Sequence, residues 1–301
     1  MIKKMKQFRL KWHQDIVDKV KPFFYSEETY LTNLMSFTSN DILLRQGTAD
    51  KTSEYEYYHE LHRLLCINRI DECTYNLVRI GRDYDGGYVV VRKKADGSFS
   101  DNNIAYSLGI CDDVSFDIAL AEQNYEIYQY DHTIDNLPQE NEKFHWRKTG
   151  ITGSNETEQL KSLLTVLKND GNDSRNGMFL KCDIEGSEWD MLNDCTDFIL
   201  NKFDQIVIEL HYLTDFHNRE TILKTLEKLT ATHQAVHIHA NNNSIVNYCD
   251  TLVTPSVIEV TFVLKEKYAT TKADIILPTK LDQPCNRSYP DILPGRWNVI
   301  S

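Results

Sequence analysis

Short apolar runs alternate with segments of helical apolar spacing over most of the chain after residue 104. The predicted strands are 104–110, 125–131, 144–151, 177–184, 203–210, 235–241 and 257–264. The predicted helices are 114–123, 155–168, 188–198 and 219–229. Repeated alternation of strand and helix is typical of a doubly wound α/β sheet. We therefore predict a mostly parallel, seven-stranded sheet within a domain that spans residues 71–301.

The two ends of the chain follow different patterns. Residues 1–70 show no strand alternation, and Leu61, Leu64 and Leu65 follow a helical spacing, so we predict a helical N-terminal appendage. The runs LVRI and YVVV flank a Gly-Gly turn between residues 77 and 91, which indicates a pair of strands. Four of the seven prolines fall after residue 268, which indicates an irregular C-terminal tail.

Composition and charge exclude several classes of protein. The formal net charge of the 301 residues is −12, whereas a nucleic-acid binder would usually carry a basic surplus, so we expect no nucleic-acid partner. Basic residues cluster in the first 21 positions, where a solvated helix face is the main interpretation and peripheral contact with an anionic membrane the alternative. No apolar run is long enough to span a bilayer and no secretory signal is present, so we expect a cytoplasmic protein.

The seven cysteines are scattered and never form a CxxC pair. This spacing favours reduced thiols and argues against a disulfide framework or a structural zinc site.

The first strand of the alternating region ends in a glycine turn, Gly109, that leads into a helix. A glycine there lets the backbone approach a ligand closely. The turn has no GxGxxG pattern, and Asp112 and Asp113 would repel a pyrophosphate, which argues against NAD and FAD. S-adenosylmethionine, which carries a positive charge and no phosphate, fits better. Asp131, about twenty residues after Gly109, could accept hydrogen bonds from both ribose hydroxyls.

Three later strands end in groups that could carry chemistry. They present Asp183 and Glu185, then Glu209 and His211, then His237, His239 and Asn241. Residues two apart on a strand point to the same side. Any one of these groups is more often structural, but all three together predict a divalent-metal site or an acid–base site.

Five segments together resemble the FkbM-like branch of the S-adenosylmethionine-dependent methyltransferases. They are 79-RIGRDYDGGYVV-90, 106-YSLGICDDVSFD-117, 179-FLKCDIEGSEWDML-192, 206-IVIELHYL-213 and 237-HIHANN-242. The resemblance covers roughly residues 75–300, and its most specific part is the LKxDIEGxEW stretch followed by ExH. It implies a class I methyltransferase-like fold and O-methylation of a hydroxyl on a sugar, nucleotide-sugar or glycan precursor, in surface-polysaccharide or natural-product biosynthesis.

The resemblance also implies which residues bind the cofactor. They are Arg79, Gly81, Gly87, Ser107, Leu108, Gly109, Asp112, Asp113, Asp131 and Asp183. The Arg-Gly and Asp-Gly-Gly elements are expected to close over the methionine end. Cys111 stands where the family pattern has a second glycine.

Two versions of the chemistry are open, with Asp183, Glu185, His211 and His239 as the catalytic candidates. In one version, Asp183, Glu209 and His239 hold Mg²⁺ or Mn²⁺, which lowers the pKa of the acceptor hydroxyl. In the other, His211 or His239 is the base, oriented by Glu185 or Glu209. The rival functions are a nicotinamide-dependent oxidoreductase and a non-catalytic adenosine- or glycan-binding scaffold. The N-terminal helices could form a homodimer interface or cap the site.

Overall fold

The computed structural model describes residues 51–298, and a seven-stranded sheet forms its centre. The helices are α1 (Lys51–Leu64), α2 (Ser115–Glu122), α3 (Leu163–Asn169), α4 (Glu188–Asp194), α5 (Asp197–Leu200) and α6 (Arg219–Thr232), with a 3-10 turn at Phe216–Asn218. The strands are β1 (Asn68–Ile70), β2 (Tyr75–Ile80), β3 (Tyr88–Lys93), β4 (Ile104–Leu108), β5 (Glu126–Tyr130), β6 (Phe144–Arg147), β7 (Gly150–Thr152), β8 (Leu160–Ser162), β9 (Met178–Cys182), β10 (Phe203–Leu210), β11 (His233–Ala240), β12 (Val246–Cys249), β13 (Leu252–Pro255), β14 (Ile258–Leu264), β15 (Thr270–Lys272), β16 (Ile276–Leu277) and β17 (Gly295–Arg296).

The strand order across the central sheet is β11-β14-β10-β9-β4-β5-β6. Strand β14 runs antiparallel to both of its neighbours, and the other adjacent pairs are parallel. The prediction of a mostly parallel seven-stranded α/β sheet is confirmed. The order reverses between β4 and β9, because β4 pairs with β5 on one side and with β9 on the other.

Two apolar layers cover the two faces of this sheet. Leu180 and Ile206 pack into a cluster with residues of α1, α3, α4 and α6, whereas the alternate residues Phe179 and Val207 pack with Phe116 of α2. Every residue of β9, β10 and β14 is buried, as near-continuous apolar runs predict for strands covered on both faces.

The prediction of a helical N-terminal appendage agrees with the structure only in part. Residues 1–50 of the predicted appendage lie outside the described residues. Helix α1 packs into the same apolar cluster as the sheet. Residues 68–70, expected to be helical, instead form strand β1, which pairs with β15. The C-terminal tail reaches back to α1, where the buried Trp297 stacks on His62 and its Nε1 donates to the carbonyl of Leu65 at 3.0 Å.

Of the helices between residues 51 and 298, none has both the length and the apolar content that crossing a membrane requires.

The packing of α1 predicts that the helix contributes to the stability of the whole fold. We expect Leu61→Ala to lower the free energy of unfolding by about 2–5 kcal/mol, because Leu61 is fully buried and its removal leaves a cavity. The control Ile276→Ala, at a side chain that is 63% exposed, should change it by less than about 0.5 kcal/mol. Urea denaturation measures both, and equal small effects would show that α1 is not part of the cooperative core.

Candidate functional site

An acidic cavity of about 400 Å³ opens at the carboxyl ends of β4, β9, β10 and β11. Seven carboxylates line it: Asp85, Asp112, Asp113, Asp117, Asp183, Glu185 and Glu209. Its cationic side chains are Arg82 and Lys181, and its imidazole is that of His211. The cavity lies where the strand order reverses, which is the position at which doubly wound sheets bind ligands. Its surplus of negative charge favours a cationic ligand.

The tips of β4 and β9 are locked together at Gly109. A Cβ on Gly109 would lie 1.7 Å from the carbonyl oxygen of Asp183, and its φ of +80° also favours glycine. The Asp183 N–H donates to the carbonyl of Leu108 at 2.8 Å, and Lys181 Nζ donates to the carbonyl of Gly109 at 2.6 Å. The glycine turn and the acid at the end of β9 therefore hold a fixed relation to each other.

The N-terminal end of α2 is occupied by a carboxylate of the chain itself. Asp113 accepts hydrogen bonds from the N–H of Ser115 at 3.1 Å and from its hydroxyl at 2.7 Å. Arg82 lies 3.6 Å from Asp112 and 3.5 Å from Asp113. Because Asp113 takes the place where a helix N-terminus would otherwise receive a phosphate, the structure supports the argument against a pyrophosphate ligand.

Asp131 does not line the cavity. Its Oδ2 accepts from the N–H groups of Ile110 and Cys111 at 2.8 and 3.0 Å, and its Oδ1 accepts from the N–H and the hydroxyl of Thr133 at 2.7 and 2.6 Å. Burial alone would raise the pKa of Asp131, but these hydrogen bonds outweigh it and lower the pKa. The Asp131 carboxylate therefore fixes the backbone of the turn that follows Gly109. The contact of Asp131 with a ribose stays a prediction.

The other predicted cofactor residues fall into two groups. Ser107, Asp112, Asp113 and Asp183 line the cavity. Leu108 is buried in the core, and Arg79 donates from Nη2 to the carbonyl of Tyr84. Gly81 and Gly87 shape the loop between β2 and β3, since a Cβ would lie 2.6 Å from the Gly86 oxygen and 2.2 Å from the Arg82 oxygen, respectively. From this loop, Arg82, Asp85 and Gly86 reach the cavity; sequence reasoning had not selected Arg82.

Asp183, Glu209 and His211 converge on one side of the cavity. One ligand atom of each lies within 4.8 Å of the others. Burial raises the pKa of Glu209, and the neighbouring charges of Asp183 and Glu259 raise it further. Asn241 Nδ2 donates to Glu209 at 2.6 Å, and the Tyr88 hydroxyl donates to Asp183 at 3.1 Å. Two carboxylates and an imidazole are a donor set of the kind that binds divalent cations.

Glu188 orients His211, and the sequence analysis did not select it. Its fully buried Oε1 lies 3.1 Å from His211 Nδ1 and accepts from the His211 N–H at 2.7 Å. Trp189 Nε1 donates to the His211 carbonyl at 2.8 Å. The Glu-Trp pair of the EGxEW stretch therefore holds the histidine of the ExH stretch, and His211 Nε2 faces Glu209 and Glu185 at 3.6 and 3.7 Å. In the sequence, the available signal was the Glu-Trp pair that follows the apolar strand ending at Asp183.

His239 is not the third member of this group, which corrects the predicted set of Asp183, Glu209 and His239. The antiparallel strand β14 lies between β10 and β11, and Glu259 pairs in register with Glu209 on one side and with His239 on the other. Glu209 and His239 are thus two strands apart, or about 9.5 Å along the sheet. His239 does not line the cavity; its nitrogens face Glu259 and Asp291 instead.

His237 is also directed elsewhere, because its Nε2 pairs with Asp282 of the C-terminal tail at 3.0 Å.

Comparisons with known proteins return no matching family model and no curated protein of significant sequence similarity.

The Glu188–His211 contact predicts a change in the pKa of the imidazole. Burial alone would lower the pKa of His211, but the Glu188 hydrogen bond and the charges of Asp183 and Glu185 outweigh it and raise the pKa. We expect Glu188→Gln to lower the pKa of His211, measured by NMR titration of the ring protons after chelation of metals. Glu185→Gln, at an exposed side chain, should lower it less. An unchanged pKa in Glu188→Gln would contradict the assigned contact.

Proposed function

We propose that the protein is an S-adenosylmethionine-dependent O-methyltransferase that acts on a hydroxyl of a sugar, nucleotide-sugar or glycan precursor. The observation that carries the proposal is the surplus of carboxylates in the cavity at the reversal point of the sheet. A dinucleotide would bring its pyrophosphate against Asp112 and Asp113, whereas a sulfonium and an amino group are attracted there. The sugar acceptor rests on the family resemblance of the site segments.

The strand order gives a second argument for this class. In chain order, the strands of the central sheet are arranged 6-7-5-4-1-2-3, with the seventh antiparallel. A dinucleotide-binding sheet has six strands in the order 3-2-1-4-5-6. The added antiparallel strand between the fifth and sixth strands departs from that order, which counts against the dinucleotide-binding rival.

The proposed reaction needs a base beside the acceptor. The bound cofactor supplies a methyl group on a sulfonium, which is a good leaving group. The acceptor oxygen forms the new O–CH₃ bond, the S–CH₃ bond breaks with its electron pair left on sulfur, and the hydroxyl proton must leave. His211 Nε2 would accept this proton, since Glu188 occupies the Nδ1 side of the ring. General-base help of this kind contributes about a hundred- to ten-thousand-fold in rate.

A divalent cation is the alternative to His211 as the base, because Nε2, the nitrogen that Glu188 leaves free, cannot bind a cation and accept a proton at the same time. Asp183, Glu209 and His211 would hold Mg²⁺ or Mn²⁺, and such a cation lowers the pKa of an acceptor hydroxyl. The closeness of the Asp183 and Glu209 carboxylates supports this version over a base alone, because a cation would offset the charges of both.

Calorimetry tests the cofactor. We expect the protein to bind S-adenosylmethionine and not to bind NAD⁺, because the Asp112–Asp113 pair repels a pyrophosphate. The matched variant Asp113→Asn should remove part of this discrimination, whereas Asp135→Asn, an exposed aspartate outside the cavity, should leave it unchanged. Binding of NAD⁺ alone would point to an oxidoreductase, and binding of neither would point to a scaffold; either result contradicts the proposal.

Measurements of turnover test the group formed by Asp183, Glu209 and His211, called the acid centre below. With acceptors screened by mass spectrometry for the added mass of one CH₂ group, we expect Asp183→Asn to lower kcat by about a hundred-fold or more, because the metal version loses a ligand and the base version loses the carboxylate beside His211. The control Asp190→Asn changes an exposed carboxylate of the adjoining helix and should keep the full rate. A full rate in Asp183→Asn would show that the centre is misassigned.

Chelation separates the two versions of the base. If EDTA abolishes turnover and Mn²⁺ restores it, turnover requires a divalent metal. Unchanged turnover after chelation would leave His211 as the base without a metal.

A further inference from the structure

A second group of ligand-type side chains lies outside the cavity. His239 on β11, Glu259 on β14 and Cys285 on the C-terminal tail each offer one ligand atom, and these atoms lie within 4.8 Å of one another. Their exposed fractions are 1%, 5% and 6%. None of the three lines the acidic cavity, so the group is separate from the proposed methyl-transfer centre.

The distances within this group suit a tetrahedral cation. His239 Nδ1 lies 3.1 Å from Glu259 Oε2, and Cys285 Sγ lies 3.4 Å from Glu259 Oε1. Ligands at zinc bond lengths are separated by about 3.3–3.7 Å when their arrangement is tetrahedral. The two contacts reach different oxygens of Glu259, so the carboxylate would turn one oxygen toward an ion seated between the three side chains.

Asp291 completes the arrangement behind the imidazole. Both of its carboxylate oxygens lie 3.3 Å from His239 Nε2, on the side of the ring opposite Glu259. Histidines that ligate metals usually donate their second N–H to a carboxylate, which fixes the tautomer and the ring orientation. Asp291 would hold the proton on Nε2 and leave the Nδ1 lone pair for a cation.

The charge balance of the group also favours a cation. Glu259 is buried, and between residues 53 and 298 its one ion-pair partner is His239, with no lysine or arginine within 4 Å. The same carboxylate faces the buried Glu209 across the sheet. Buried carboxylates without sufficient compensation are costly, and a divalent ion would offset several of these charges at once.

We propose that His239 Nδ1, Glu259 and Cys285 Sγ bind Zn²⁺ or a similar borderline divalent cation, with water in the fourth position. A thiolate ligand selects zinc over magnesium and manganese, so this site and the Asp183–Glu209–His211 centre take different metals. The ion joins the C-terminal tail to strands β11 and β14. The three ligands lie 20 and 26 residues apart in sequence. A zinc site with this spacing contains no CxxC pair, so the cysteine pattern that argued against a structural zinc site does not detect it.

Cobalt substitution tests the site without any assay of activity. Co²⁺ is added to the metal-free full-length protein, and the near-ultraviolet charge-transfer absorption of a cobalt–thiolate bond is followed to saturation. We expect this absorption in the wild-type protein at one ion per chain, and its loss in Cys285→Ser. Asp183→Asn should retain it, since the acid centre contains no thiol. The control Cys73→Ser, at an exposed cysteine, should also retain it.

The competing arrangement is a metal-free network in which a protonated His239 bridges Glu259 and Asp291. It predicts no cobalt–thiolate absorption in the wild-type protein, and that result alone would overturn the proposal even if Cys285→Ser failed to fold. Absorption that persists in a folded Cys285→Ser would overturn it as well. Zn²⁺ should raise the Tm of the metal-free wild-type protein, because an ion that binds only the folded state stabilises it, and an unchanged Tm at saturating Zn²⁺ would also count against the site.

Discussion

The close approach of Gly109 to the carbonyl of Asp183 is the contact on which the geometry of the acidic cavity depends. No side chain fits at position 109, so the tips of β4 and β9 meet backbone to backbone. Lys181 of β9 stabilises the contact by donating to the Gly109 carbonyl, and Asp131 stabilises the turn by accepting from the N–H groups of residues 110 and 111. This one junction therefore places both the turn beside the proposed cofactor position and Asp183 of the proposed metal centre. Such fixed placement is what alignment of two reactants requires.

The cavity concentrates negative charge beyond what folding alone would favour. Lys181 lies 3.9 Å from Asp183, and Arg82 lies near Asp112 and Asp113, but in the described part of the chain no lysine or arginine lies within 4 Å of Glu209, whose partner there is His211 at 3.6 Å. Local rules of charge pairing are broken most often at functional sites, where a ligand supplies the missing compensation. The same reasoning applies to Glu259 behind the cavity. In both places the unbalanced group is a carboxylate, so the expected ligands are cations.

The sequence predicted the sheet well and the arrangement of its edge poorly. All seven central strands were found, since buried strands read as apolar runs, but the segment predicted as helix over 155–168 contains strand β8 before α3. Alternation of strands and helices gives no information on which strands are neighbours. The position of β14 between β10 and β11 could therefore not be read, and His239 was assigned to the wrong cluster. Glu188 was missed because a glutamate at a helix start also has an ordinary role near the helix dipole.

The inserted strand β14 places two groups of ligand-type side chains along one edge of the sheet. Register aligns Glu209, Glu259 and His239 in one row across β10, β14 and β11, and side chains in such a row share a face. Glu259 therefore interacts with both of its neighbours in the row. It pairs with His239, and its charge helps to raise the pKa of Glu209. A cation held by Glu259 would weaken that second effect and favour the ionised form of Glu209, which is the form that binds a metal. The row makes Glu259 the electrostatic link between the tail and the acidic cavity.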